Sequence, residues 1–361
     1  MSKLSDEPQI VTLASELGLN WRLDAVAEIV KNCLATIAAW INEHSPITTI
    51  AQLEQLVCMR LGLVFEEVHE DADVERIVRK YVALGEKGFA GLRNDFDEST
   101  FAALLRRNHA ACDAPDRFVA VIDCRGPKAA RRFFSKWHEI AHLLTTPNQF
   151  QFTFHRSTTE RSPTERLMDQ IAAEIGFYDP IFGPAFDREF AGASRLSFDL
   201  VQQIRESVCP DASFQATLIA CVKRSPHPML YIEAGMALKK AEKARLRSNQ
   251  LDLIPLDPPS PELRASVVVP NDAAKSTGLL IHKNMRVPDE SIIFSHFFAT
   301  DGAGGVLDAE GAESLTIWKH SDGKSIGNSE VVIESRRIVD RIVAVVSAVS
   351  GKLNRLNRPA R

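Results

Sequence analysis

Four prolines within twelve residues divide this chain into two parts that have different hydrophobic patterns. The stretch is LDLIPLDPPSPE, residues 251–262. A proline fixes the backbone and lacks an N–H donor, so neither a helix nor a central strand continues through such a stretch. Before it, apolar residues recur mostly at helical spacing. After residue 263 they fall into short runs such as SVVVP, SIIFSHFF and EVVIE, separated by turn sequences such as DGAGG. The pattern predicts an α+β protein with a mainly helical first part and a strand-rich C-terminal domain.

The helical part contains several elements that can be placed from their spacing. Apolar residues at helical spacing predict an amphipathic helix over 23–41, starting at Leu23, and a second helix over 49–61. Two apolar runs, LGLVFEEV at 61–68 and FVAVID at 118–123, predict the strands of a small sheet. The charged, irregular stretch 70–107 predicts helical fragments and loops.

The helix predicted after the second strand carries KWHEIAHLL, with His138, Glu139 and His142 in the order H-E-x-x-H. Histidines at i and i+4 lie one turn apart on one face, so both rings can approach the same ion. Zinc accepts neutral imidazole nitrogens and lowers the pKa of a bound water to about 7, and Glu139 would lie beside that water as a base. A helix that carries two histidines by chance is the alternative. A chance match is expected in on the order of one chain in a hundred, which favours a zinc site.

A catalytic zinc needs a third protein ligand, and the sequence leaves several carboxylates and one histidine open for this role. Glu165 follows His142 by 165 − 142 = 23 residues and opens the next predicted helix, and Asp169 lies one turn further on the same face. Asp169 can hold the far nitrogen of a ligand histidine. An alternative makes Glu165 the capping-box partner of Ser162. The full set of candidates is His155, Glu160, Glu165, Asp169 and Glu174.

The two segments RRFFSKWHEIAHLL and TERLMDQIAAEIGF, within residues 118–180, resemble the ImmA/IrrE family of zinc-dependent metallopeptidases. The resemblance implies a zincin-like domain in which His138, His142 and Glu165 bind zinc and Glu139 is the catalytic acid/base. Asp169 then matches the polar residue that follows the third ligand. Two positions depart from the family pattern, Met168 and Ile171, and GFYDP replaces the family's usual ending. We therefore expect the wall of the substrate cleft to differ from that of the family, whereas the metal ligands match.

The family acts on helix-turn-helix repressors in stress and mobile-element responses, so the resemblance implies a cytosolic endopeptidase that cleaves such a partner protein. It also suggests a layout. We predict a metallopeptidase domain with N-terminal helices over 1–190, a helical, helix-turn-helix-like segment over 191–250, the proline-rich linker over 251–262 and a β-rich, sensor-like domain over 263–361. An alternative function is a non-catalytic regulator that binds a repressor through the same fold. The intact Glu139 argues against it, because a purely structural zinc needs no base.

Direct DNA binding by the helical segment is not expected. Its second predicted helix, FQATLIACV, is apolar nearly all round, whereas a recognition helix presents polar side chains to bases. Packing against the peptidase core is the favoured role. The net charge of −4 also gives no bulk attraction for a polyanion.

Two further residues are candidates for stabilising the transition state, because peptide hydrolysis needs a donor opposite the metal. These are Tyr178 and His155, and the competing interpretations are a packed tyrosine and a surface histidine. The chain has no apolar run of membrane-spanning length and no secretory pattern at MSKLSDEPQI, so we expect a cytoplasmic protein with no membrane partner and with reduced cysteines.

Overall fold

The computed structural model describes residues 4–43, 46–96, 100–108, 114–145, 154–157, 162–193, 195–247, 259–299, 308–320 and 322–349. They form an α+β protein, which confirms the predicted fold class. The chain divides into two compact units. The first comprises Met1–Arg188 and Ile204–Ser213, and the second comprises Glu189–Gln203 and Phe214–Arg361. None of the described helices combines the length and the apolar character needed to span a lipid bilayer.

The helices and strands follow one another along the chain with a clear change from mostly helical to mostly strand structure. In the first unit they are α1 (Pro8–Glu16), α2 (Trp21–Asn42), α3 (Ile50–Leu61), β1 (Leu63–Val68), α4 (Asp71–Ala83), α5 (Leu92–Asp95), β2 (Thr100–Arg106), β3 (Phe118–Asp123), α6 (Arg132–Thr145), β4 (Phe154–Ser157) and α7 (Pro163–Gly176). Helices α8 (Asp179–Phe190) and α9 (Phe198–Val208) contribute residues to both units. The second unit continues with α10 (Phe214–Arg224), β5 (Met229–Ala237), α11 (Lys240–Arg247), β6 (Glu262–Pro270), α12 (Asp272–Thr277), α13 (Ile292–Phe297), β7 (Asp308–Ser314), β8 (Glu330–Ile338) and β9 (Arg341–Ala348).

The first unit is built around a four-stranded sheet of order β1-β3-β2-β4. β1 and β3 are parallel, whereas β2 is antiparallel to both of its neighbours. The stretch 70–107 therefore contains a strand that the sequence did not predict. All residues of β2 except Arg106 are buried, because the strand is interior to the sheet. Its run TFAALL therefore shows no alternation of polar and apolar residues, and this is why the sequence pattern did not indicate a strand.

Helix α2 confirms the predicted amphipathic helix but differs in its first turn. Asp24 leaves the helical conformation, with φ −157° and ψ 98°. Leu23 lies before this kink and is 92% exposed, so it is not part of the buried face. The buried stripe consists instead of Ala25, Ile29, Cys33 and Ile37, which follow one another at i, i+4 spacing.

The second unit is built around a five-stranded antiparallel sheet of order β6-β5-β9-β8-β7. Its core includes the fully buried Trp318 and the inward residues of β8 and β9. SIIFSHFF was predicted as a strand, and this is wrong, because it forms α13, where Ser291 accepts a hydrogen bond from the Ile293 N–H and starts the helix. A short apolar run fits a buried helix as well as a strand.

The boundary of the strand-rich unit also differs from the predicted layout. β5 lies inside the stretch 191–250, yet it is hydrogen-bonded between β6 and β9. Helix α10 belongs to the second unit and packs there against β5 and β6. Residues 251–258 of the predicted linker lie outside the described residues. The strand MLYIEAGMA was missed because residues that are distant in sequence bury it, and its own pattern is ambiguous.

Candidate metal centre

Helix α6 carries the H-E-x-x-H sequence into the interior of the first unit. His138 is 0% exposed, Glu139 1% and His142 3%. Three ionisable side chains this deeply buried are costly unless each finds a polar partner or an ion. The helix faces α7, which follows it in the chain, and the partners come from there.

Helix α7 begins with a cap that places Glu165 in its first turn. Ser162 Oγ accepts a hydrogen bond from the Glu165 N–H at 3.2 Å, and Pro163 occupies the first helical position. The carboxylate of Glu165 points instead to the histidines, with Oε2 3.0 Å from His138 Nε2 and Oε1 3.3 Å from His142 Nε2. The two interpretations of Glu165 therefore describe two different parts of one residue: its backbone takes part in the cap, and its carboxylate faces the imidazole rings.

The three side chains bring their ligand atoms to one point. The two Nε2 atoms of His138 and His142 are 3.2 Å apart, and both lie within 3.3 Å of a Glu165 oxygen. Ligands of a tetrahedral zinc, at bond lengths of 2.0–2.1 Å, are spaced about 3.3 Å from one another. Two imidazole nitrogens and one carboxylate oxygen at this spacing are a donor set that zinc accepts. The group His138, His142 and Glu165 could therefore hold a metal ion.

The electrostatics of Glu165 also suit a ligand. Burial alone would raise the pKa of the Glu165 carboxyl, but hydrogen bonds with His138 and His142, and electrostatic attraction to these side chains, hold the pKa well below its usual range. The carboxylate is thus ionised at neutral pH, which is the form that binds a cation.

Asp169 contacts the ring nitrogen of His138 that does not face Glu165. Its Oδ1 lies 3.0 Å from His138 Nδ1, and it comes from the same face of α7 as Glu165, one turn later. A Nδ1–H donated to this carboxylate leaves the Nε2 lone pair of His138 directed at the point where the three ligand atoms meet.

A close approach of α6 and α7 makes this convergence possible. A Cβ added at Gly176 would lie 2.9 Å from Trp137 Cδ1 and 3.3 Å from Phe133 Cε1. Only glycine leaves room for these rings without a shift of one helix. The sequence shows this residue merely as the end of a helix, so its role could not be read from the pattern.

The remaining predicted residues are placed as follows. His155 lies in β4 opposite Ala103 of β2, and its side chain is outside the described part of the chain. Tyr178 is 5% exposed, and burial raises the pKa of its hydroxyl. Glu174 is exposed on α7, and Glu160 lies outside the described residues. The transition-state roles of Tyr178 and His155 stay predictions.

Lys136, a charged residue within the motif helix, lies two positions before His138 and hence on nearly the opposite face of α6. Its Nζ is 3.0 Å from Glu67 Oε1 and 3.4 Å from Glu54 Oε1. The charge is therefore neutralised by α3 and β1 and does not face the histidines.

A comparison of the chain with protein-family models gives no match, and a comparison with curated proteins gives none either.

Proposed function

We propose that this chain is a zinc-dependent endopeptidase that cleaves a specific partner protein in the cytoplasm, and that the partner is a helix-turn-helix repressor. One observation carries the proposal: two histidines of α6 and a carboxylate of α7 meet at zinc-ligand spacing, and the residue that follows the first histidine is the buried Glu139. The repressor and the cytoplasmic location rest on the resemblance of the α6 and α7 segments to the ImmA/IrrE family.

Zinc held by His138, His142 and Glu165 would supply a Lewis acid for the scissile carbonyl and lower the pKa of water to about 7. Asp169 keeps the imidazole of His138 in the tautomer and orientation that a ligand needs. Glu139 follows His138 directly and takes one proton from the attacking water as the oxygen bonds to the carbonyl carbon. It then gives this proton to the amide nitrogen as the C–N bond breaks.

The presence of Glu139 separates this proposal from a non-catalytic regulator that uses the same fold. A site that only holds a structural ion has four protein ligands and no buried carboxylate beside them as a base. Here the described residues offer three ligands and Glu139.

The decisive experiment compares Glu139→Gln with the wild type on the repressor encoded beside the gene. Gln preserves the size of the side chain and removes the base, so zinc content should be unchanged while cleavage falls by roughly 10²–10⁴-fold. Glu174→Gln is the matched control, because it makes the same change at an exposed position, and it should cleave normally. Wild-type cleavage by Glu139→Gln would remove this residue from the mechanism, whereas repressor binding without any cleavage by the wild type would favour the regulator.

A further inference from the structure

A second group of metal-ligand side chains lies where β1 and β3 end. These strands are parallel, and Val68 of β1 pairs with Asp123 of β3. The residue after each strand is His69 and Cys124, respectively, and the Cys124 N–H donates a hydrogen bond of 2.8 Å to the Val68 carbonyl. The carboxyl ends of parallel strands share one edge of a sheet, and ligands commonly bind there.

Glu67 completes the group. It lies two residues before His69, so the two side chains leave the chain on the same side. Ligand atoms of Glu67, His69 and Cys124 all lie within 4.8 Å of one another. The distance from His69 Nε2 to Glu67 Oε2 is 3.3 Å, which matches the spacing of about 3.3 Å between ligands of a tetrahedral zinc.

The exposure of the three side chains leaves a way in from solvent. Cys124 is 4% exposed and is the most deeply buried residue of the group. The side chain of Glu67 is 22% exposed, and that of His69 is 62% exposed. Because the imidazole lies at the surface, it can turn towards an ion, and the three ligand atoms need to approach only from within 4.8 Å of one another to the spacing of about 3.3 Å in a tetrahedral zinc site.

We infer that Glu67, His69 and Cys124 form a second metal site, separate from His138, His142 and Glu165, that binds a divalent ion of the zinc class. A thiolate, an imidazole and a carboxylate are the three ligand types that zinc takes in proteins. The thiolate excludes magnesium and calcium, which prefer oxygen ligands alone.

Lys136 and Arg132 lie close to the carboxylate of Glu67, and their positions allow a metal ion to bind one of its two oxygens. Lys136 Nζ lies 3.0 Å from Oε1, whereas His69 faces the other oxygen, Oε2. A carboxylate that binds a metal through one oxygen commonly keeps a hydrogen bond at the other. Arg132 Nη1 is 3.3 Å from Oε2 but also pairs with Asp211 at 2.5 Å. Arg132 can therefore leave Oε2 without losing its only carboxylate.

A reactive cysteine is the competing interpretation of the same three residues. Nucleophilic cysteines have a lowered pKa, but burial, together with the charge of Glu67, raises the pKa of the Cys124 thiol to about 11. The thiol therefore stays protonated in the absence of a metal. An incoming ion displaces this proton to solvent as the metal–sulfur bond forms, so no oxidant or further reactant is needed.

Cobalt(II) distinguishes the two sites on the full-length protein. Cobalt bound to a thiolate gives a strong sulfur-to-metal band in the near ultraviolet, whereas ligation by histidine and glutamate gives only weak visible bands. The wild type should bind two equivalents of Co²⁺ and show the thiolate band. Cys124→Ser should lose that band and one equivalent. Cys58→Ser removes another described thiol that is outside the group, and it should keep both.

Two further variants keep the inference testable if Cys124→Ser folds poorly. His69→Ala changes an exposed side chain and should weaken the thiolate-band titration more than about tenfold. His138→Ala combined with His142→Ala should lose the other equivalent and retain the band, which makes the second site independent of the proposed peptidase. No thiolate band in the wild type, or an undiminished band in Cys124→Ser, would overturn the inference.

Discussion

Both units of this protein bury histidine side chains on a helix, but the polar groups that contact these histidines differ. In α6 of the first unit, His138 and His142 direct their Nε2 atoms at each other and at Glu165, with distances of 3.0–3.3 Å. In α13 of the second unit, His296 is 6% exposed, and its Nδ1 lies 2.8 Å from Ser335 Oγ, which in turn is 3.3 Å from the Ala309 carbonyl.

The two sites differ in whether hydrogen-bond donors and acceptors are matched. The hydroxyl of Ser335 can accept from the imidazole of His296 and donate to the Ala309 carbonyl, so this chain of donors and acceptors is complete without an ion. Around His138, lone-pair atoms of two rings and a carboxylate crowd one point, and a cation or proton among them relieves their repulsion. Burial of a histidine therefore says little about metal binding, whereas convergence of acceptors does.

The largest effect is expected from removing a histidine in each unit. His142→Ala should lose the zinc equivalent bound by His138, His142 and Glu165, because it removes one of these three ligands. His296→Ala should retain full zinc content and lose about 1–3 kcal/mol in the free energy of unfolding, because the buried hydroxyl oxygen of Ser335 loses its hydrogen bond with the imidazole. Metal analysis of both variants, alongside urea unfolding, checks the pair. Equal zinc loss in both would erase the contrast.

A smaller effect on zinc binding is expected from Asp169, which contacts His138 Nδ1. Asp169→Asn keeps the size of the side chain but weakens its hydrogen bond with His138 Nδ1, and zinc affinity should fall about 10–100-fold. Ser335→Ala is the counterpart beside His296 and should leave zinc affinity unchanged. Competition with a zinc chelator measures both, and unchanged affinity in Asp169→Asn would show that this carboxylate does not orient the ligand.

Replacing glycines by alanine tests how tightly side chains pack around Gly176 in the first unit and Gly311 in the second. Gly176→Ala meets the rigid ring of Trp137 at 2.9 Å and should cost about 1–3 kcal/mol of stability. Gly311→Ala in β7 meets only the Cδ1 end of the Ile292 side chain, which can turn away, so its cost should be smaller. Gly88→Ala has open space and serves as the control. Denaturant unfolding of the three variants gives the order, and a larger loss for Gly311→Ala would contradict the packing argument.

The smallest effect is a pH dependence in the second unit. Burial raises the pKa of Glu334, although its oxygens accept the Phe198 N–H at 3.1 Å. The folded state then holds this proton more tightly than the unfolded state does, so its ionisation disfavours folding as pH rises from the ordinary carboxyl range through the raised pKa. Glu334→Gln should therefore gain stability relative to the wild type between about pH 4 and 7, by no more than about 1 kcal/mol. Thermal unfolding at both pH values measures the trend, and the opposite trend would contradict it.

Features that depend only on neighbours along the chain can be predicted from the sequence. Helical spacing places His138 and His142 on one face whatever surrounds them. Ser162 and Pro163 start α7 through local backbone chemistry, and the change of pattern beyond the prolines indicates an α+β protein. These features survive in the structure because one or two turns of backbone are enough to define them.

Features that depend on residues far apart in the sequence arise only from tertiary packing. Sequence left five candidates for a third ligand, and only the packing of α7 on α6, which Gly176 permits beside Trp137, brings the Glu165 carboxylate to both histidines. β2 and β5 become strands because neighbouring strands bury them. Glu67, His69 and Cys124 meet because two parallel strands end side by side. The physical reason is common to all three, since a periodic pattern shows which face of an element is buried but not which distant element covers it.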